Sequence, residues 1–314
     1  MNQAQSIINE VKKAFIGKDD IITHVMMAIL AKGHVLLEDI PGVGKTTLAL
    51  SFSRALGLDY KRMQFTPDVL PSDVTGFSML NQKTGVLEYQ PGVALCNLLL
   101  ADEINRATSR TQAALLECME EGQITVDGVT HQIPKPFVVI ATQNPIGAHG
   151  TQLLPDSQMD RFLIRLSIGY PAPLDEISIL KSKQSAPSVG EIKQVSGAAE
   201  IIAMQDEVLA IYISDTIYDY MIRLVNATRT HSLILQGGSP RASLALMRLG
   251  QATAYIDGRD YVVPDDVKNI FSAALGHRLI LSPKARVENV TVDDLLQEIL
   301  ETIAAPRVWT KANA

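Results

Sequence analysis

A glycine turn set between an apolar run and an amphipathic helical pattern constrains this chain more than any other feature. His34-Val35-Leu36-Leu37 has the continuous apolar character of a strand buried on both faces, and Leu48, Phe52, Ala55 and Leu56 recur at helical spacing. Between them lies Asp39-Ile40-Pro41-Gly42-Val43-Gly44-Lys45-Thr46-Thr47. After a strand and before a helix, glycines let the backbone curl until its N–H groups face phosphate oxygens, beside the positive end of the helix. Lys45 then reaches the β- and γ-phosphates of a nucleotide, and the Thr46 hydroxyl ligates magnesium. Asp39 stands where the first glycine of such loops is usual. The remaining Gly-x-Gly-Lys-Thr arises by chance in only about one chain in a hundred of this length. An ATP and Mg2+ site is therefore expected at Pro41, Gly42, Val43, Gly44, Lys45, Thr46 and Thr47.

Four more strand-like segments follow, Lys61–Phe65, Asn97–Ala101, Phe137–Ala141 and Phe162–Ile164, alternating with helical patterns. That alternation predicts an α/β fold with a doubly wound parallel sheet. A first amphipathic helix carries Ile7, Ile8, Val11, Ala14 and Phe15, with Gly17 as its stop. After Tyr170-Pro171-Ala172-Pro173 the strand signals cease. Helices are predicted from Ser214-Asp215 to about Thr230, from Ser239-Pro240 to about Ile256, and from Pro264 onward, with a surface loop at Gln184–Gly190. The expected division is a nucleotide-binding core at 1–170 and an all-helical lid at 171–314. Two hairpins are also predicted, one around Gly85 and one around Asp127-Gly128.

About fifty residues beyond the loop, the strand ending Leu100-Ala101-Asp102-Glu103 delivers two carboxylates to the sheet edge where ligands bind in open α/β folds. Asp102 is the candidate to hold magnesium through water, and Glu103 the candidate to polarise the attacking water. The next strand ends Ala141-Thr142-Gln143-Asn144-Pro145, and a neutral amide there can hold that water without altering charge, which makes Asn144 the sensor candidate. Met159-Asp160-Arg161-Phe162 sets an arginine at the mouth of the fifth strand. Gly238-Ser239-Pro240-Arg241 sets another in the first turn of a capped helix, where anions are attracted.

Composition narrows the partners. A formal net charge of −6 and a pI near 5.5 lack the basic excess of a nucleic-acid binder. Cys96 and Cys118 suggest neither a disulfide framework nor a metal cluster, and no histidine has a partner at ligand spacing, so the expected metal is nucleotide-borne magnesium. With no basic leader and no long apolar stretch, a soluble cytoplasmic protein without membrane insertion is expected.

In this order the motifs resemble the MoxR family of AAA+ ATPases, from Ile16-Gly17 to about Leu281. The resemblance rests on Leu36–Thr46, Gln64–Gly76, Ala101–Ala107, Ala141–Pro145, Leu154–Phe162 and Ser239–Ala242. It implies an AAA+ core with a helical lid, ATP at their junction, Ile16 and Gly17 near the adenine, and homo-oligomeric rings, usually hexamers. It further implies that Arg161 is an arginine finger acting on a neighbour's ATP and Arg241 a lid sensor. The fifth strand is expected to lie away from the strand-order switch, so that Arg161 cannot reach its own nucleotide. Such proteins are regarded as chaperones that remodel or mature partners, often von Willebrand factor A domain proteins, and the two hairpins resemble pore-facing inserts of related rings. Ala107-Thr108-Ser109-Arg110-Thr111 departs from the proline-rich turn of relatives. Two other readings fit the same loop. A DNA-acting ring ATPase is opposed by the acidic charge, and a slowly hydrolysing nucleotide-gated scaffold by the presence of Glu103, Asn144 and Arg161.

Overall fold

The computed structural model describes residues 2–144, 154–185 and 189–306; Pro145 and residues 186–188 of the expected surface loop lie outside them. In chain order, α1 (Gln3–Lys12) and α2 (Asp19–Leu30) precede β1 (Val35–Glu38), α3 (Lys45–Ala55), β2 (Tyr60–Gln64) and a short α4 (Pro71–Thr75). Next come β3 (Gly76–Leu80), β4 (Leu87–Pro91), β5 (Leu98–Asp102), α5 (Ser109–Glu121), β6 (Gln123–Val126), β7 (Val129–Gln132) and β8 (Val138–Gln143). The chain continues through α6 (Asp156–Met159), β9 (Ile164–Leu166), α7 (Pro173–Ser185), α8 (Ala198–Leu209), α9 (Asp215–Thr230) and β10 (Ile234–Gln236). It finishes with α10 (Pro240–Ile256), α11 (Pro264–Leu275), β11 (Ile280–Leu281), α12 (Pro283–Val287) and α13 (Val292–Thr302).

Five strands form one sheet in the order β2-β5-β8-β1-β9, parallel throughout. Every expected strand is therefore present, but one placement differs. β9 pairs directly with β1, Val35 opposite Ile164, rather than lying away from the switch. Strand order is a long-range property that apolar runs do not encode.

Side-chain alternation divides the sheet between two apolar clusters. Val35, Leu37, Leu98, Leu100, Val138 and Ile140 pack with residues of α1, α2, α3 and the C-terminal helices α8 to α11. Leu36, Leu99, Ala101, Val139 and Ala141 pack on the other side with Leu115, Leu116 and Met119 of α5. One apolar core thus runs from the sheet into the C-terminal part without a break.

Local chemistry sets the helix ends. Ser239 caps α10, its hydroxyl accepting the Arg241 N–H at 3.1 Å, and Pro240 supplies the first helical residue. Thr108 caps α5, its hydroxyl accepting the Thr111 N–H at 3.4 Å. Both predicted hairpins form, β3 with β4 and β6 with β7. The C-terminal part is helical as expected, with one addition: β10 and β11 make a two-stranded antiparallel pairing.

Candidate functional site

β1 ends at Glu38, and the chain curls through Gly42 (φ +89°) and Gly44 (φ +96°), left-handed conformations that side chains resist. Gly44 is the N-cap of α3, so the first N–H groups of that helix have no intrahelical partner. Nothing lies within 4 Å of where a Cβ on Gly42 would stand. Lys45 is 8% exposed, and its Nζ donates to the Asp39 carbonyl at 2.8 Å. Burial lowers the Lys45 pKa, while the carboxylates of Asp102, Asp39 and Glu103 act in the opposite sense. Thr46 and Thr47 are half-buried in the first turn of α3, flanked by exposed Pro41 and half-buried Val43. Ile16 and Gly17 form the turn between α1 and α2; the adjacent Phe15 ring lies 3.0 Å from the Cβ position of Gly44. A curled backbone with free donors and a sequestered cation fits the charge of a triphosphate, and Thr46 with Asp102 offers the hard oxygen donors magnesium requires.

The two acids follow one another at the end of β5 and share one support on the neighbouring β8. Thr142 donates its hydroxyl to Asp102 Oδ1 at 2.7 Å and accepts the Glu103 N–H at 2.9 Å. Arg62 of β2 pairs with Asp102 Oδ2 at 2.7 Å. Glu103 has a left-handed backbone (φ +56°), a strained state for a residue with a side chain that recurs at functional sites. Its Oε2 pairs with Arg106 at 2.8 Å, and its Oε1 accepts from Asn144 Nδ2 at 3.0 Å. Arg106 first, and Asn144 after it, hold the Glu103 pKa below the usual carboxylate value against the opposing effect of burial. Asn144 Oδ1 is buried and has no hydrogen-bond partner among the described residues. An ionised carboxylate joined to an amide with a spare acceptor can bind a water from two sides.

Both arginines lie elsewhere. Arg161 Nη2 is 3.3 Å from Glu120 Oε2, and Arg241 makes a close ion pair with Glu120 Oε1. The neighbouring Met119 carbonyl lies 3.1 Å from His34 Nε2, and His34 leads into β1. The pair therefore sits at the N-terminal edge of the sheet, while the loop and the acids sit at the C-terminal edge. Residues 34 to 38 alone span roughly 13 Å. Two expectations change. Arg161 is separated from its own loop along the strands, not by strand order, and Arg241 stands with Arg161 instead of at an ATP junction within the same subunit. Asp160 holds the lid here, accepting from Ser239 Oγ and from Arg278 Nε, each at 2.8 Å.

Thr142, Arg62, Arg106, Glu120, Asp160 and Arg278 escaped the sequence reading. Thr142 adjoins a motif and could have been found, since a hydroxyl between two strand-end acids has an evident use. The partners of Glu120 and Asp160 are far away in the chain, up to 121 residues for Glu120, and carry no local signal.

Residues 34–164 match a family model described as ATPase family associated with various cellular activities (AAA), and residues 226–299 match one described as AAA lid domain. The chain is 44% identical to a Bacillus subtilis protein called uncharacterized protein YeaC, over 95% of this chain and 93% of that one. It is 37% identical to the chaperone MoxR1 of Mycobacterium tuberculosis, over 96% of this chain and 82% of the relative. A crystal structure of a Cytophaga hutchinsonii protein described as a candidate ATPase superposes with a TM-score of 0.91 at 34% identity, covering 98% and 96% of the two chains.

Proposed function

The chain belongs to the MoxR family of AAA+ ATPases, and from that premise we propose that it is a magnesium-dependent ATP hydrolase acting as a ring-forming chaperone on partner proteins. The observation that carries this reading is the division of the site, with loop and acids at one sheet edge and two arginines at the other. A subunit placed head to tail on its neighbour brings the arginines of one to the loop of the next, and such contacts close into rings. Six subunits and a cytoplasmic setting are part of the reading; no described helix is long and apolar enough to cross a membrane. Residues 1–170 serve as the core and 171–314 as the lid.

Each group then has a defined task. The loop N–H groups and Lys45 would bind the phosphates, Ile16 and Gly17 would lie near the adenine, and Thr46 with Asp102 would hold the metal, whose charge would offset that of the phosphates. Glu103 accepts a hydrogen bond from the attacking water, and Asn144 keeps both oriented. Arg161 and Arg241 of a neighbour stabilise the charge that develops on the transferred phosphoryl group. A relative named as a chaperone supports protein substrates, and von Willebrand factor A domain proteins are the class we propose.

Mixing subunits tests the division. Arg161→Ala keeps its loop and Lys45→Ala keeps its arginines, so the two inactive variants should recover part of the ATPase activity when combined. No recovery in particles shown by mass to contain both would sink the shared site. Stimulation by a von Willebrand factor A domain protein, but not by DNA, is expected in the same assay.

A further inference from the structure

Asp39 replaces a usual glycine with a carboxylate, and burying a carboxylate is costly unless donors surround it. Here they do. Asp39 is 5% exposed; its carboxylate accepts a close hydrogen bond from the Ile168 N–H, bonds from the Gly169 N–H at 3.1 and 3.2 Å, and the Ser167 hydroxyl at 3.5 Å. Those three residues form the exit from β9, which leads through Tyr170 into α7, the first helix of the lid. The carbonyl of the same Asp39 accepts from Lys45 Nζ at 2.8 Å.

Two further ties hold the same passage. Lys18, next to the Ile16-Gly17 turn, donates to the Tyr170 carbonyl at 2.9 Å. Gly17 packs so closely on Asp175, in the first turn of α7, that a Cβ there would come within 2.4 Å of its side chain. Residues 167–175 are thus fastened at three successive points to the segments that border the nucleotide site.

We propose that Asp39 is a positioning residue that couples the phosphate loop to the start of the lid, so that the loop's response to a bound nucleoside triphosphate moves residues 167–175 and, through them, the lid carrying Arg241. A glycine at this position could not do this, because it has no side chain to reach across. The inference rests on the ATP site proposed above. Asp39→Asn keeps the shape and one acceptor oxygen but replaces the other with an N–H2 and removes the negative charge, which weakens the tie and leaves the loop N–H groups and the Asp39 carbonyl that receives Lys45 in place.

Hydrogen exchange of the full chain, with and without a non-hydrolysable ATP analogue and magnesium, reads the coupling, while calorimetry reads affinity. In the wild type the analogue should slow exchange over residues 167–175. In Asp39→Asn the affinity should stay within about threefold while that response falls to about half or less, and kcat should drop about tenfold with KM within about threefold. Full retention of the nucleotide-dependent response in Asp39→Asn would overturn the coupling, as would an affinity loss large enough to account for the lost response. Failure of the wild type to bind the analogue would instead strike the ATP site itself. If Asp39→Asn does not fold, Lys18→Met removes the solvent-exposed hydrogen bond to Tyr170 and should weaken the same response; an unchanged response there counts against the proposal.

Discussion

At the scale of single residues, the acids at the sheet edge are governed by their neighbours. Glu103→Gln keeps the size and the Asn144 contact but cannot accept a proton, so nucleotide affinity should persist while hydrolysis slows by at least tens of times. Calorimetry and a phosphate-release assay check the two halves of that expectation; turnover near wild type would move water activation to another group. Thr142→Val is a sharper test of what the structure adds. It preserves shape but removes the one hydroxyl that serves both Asp102 Oδ1 and the Glu103 N–H, leaving that half-buried N–H without its acceptor. A loss of stability of about 1–3 kcal/mol is expected, together with a higher magnesium requirement as Asp102 loses its orientation. An unchanged magnesium titration would show that Arg62 alone positions Asp102.

At the scale of elements, the head of β1 is built on a neutral histidine. Val139 donates its N–H to His34 Nδ1 at 3.0 Å, so the ring proton resides on Nε2 and points to the Met119 carbonyl at 3.1 Å. Complete burial pushes the His34 pKa down to about 4 from an ordinary 6.5, with the Met119 contact opposing the shift. Below 6.5 the unfolded chain takes up a proton that the folded chain refuses. The contribution is therefore fully present above pH 6.5 and is lost as the pH falls from there towards 4, by up to about 1.4 kcal/mol per pH unit. Buried His277 is lowered in the same direction, chiefly by desolvation, and adds to the effect. Denaturant unfolding at pH 7, 6 and 5 should show the loss, and His34→Gln, which offers an acceptor and a donor of similar reach, should make the slope shallower by about one proton. An identical slope would place the acid sensitivity elsewhere.

At the scale of the whole molecule, Glu120 draws Arg161 and Arg241 into one cluster from two parts of the chain. Both arginines should then act together and only in an assembly. Arg241→Ala is expected to mimic Arg161→Ala: unaltered ATP affinity in dilute subunits, and turnover in the ring lowered by as much as about 10³. Wild-type activity per subunit should rise with protein concentration until rings are complete. Full activity of Arg241→Ala rings, or concentration-independent activity of a monomer, would separate Arg241 from the shared site.

Adjacent residues and short periods were enough to read the loop at Asp39–Thr47, the strand-end pair Asp102 and Glu103, the five core strands, both hairpins, the starts of α9, α10 and α11 and the Ser239 cap of α10. These features depend on backbone propensity, glycine geometry and side-chain alternation, all of which act over a few positions of chain. What the sequence could not supply was which distant groups meet. That β9 lies against β1, that Thr142 bridges Asp102 and Glu103, that Arg241 shares Glu120 with Arg161, and that Asp39 reaches Ile168 and Gly169 were decided by tertiary structure alone. Each joins residues some 40 to 130 positions apart, and their meeting follows from the order in which strands stack and from the apolar core that fixes the lid against the sheet, neither of which leaves a periodic trace in the chain.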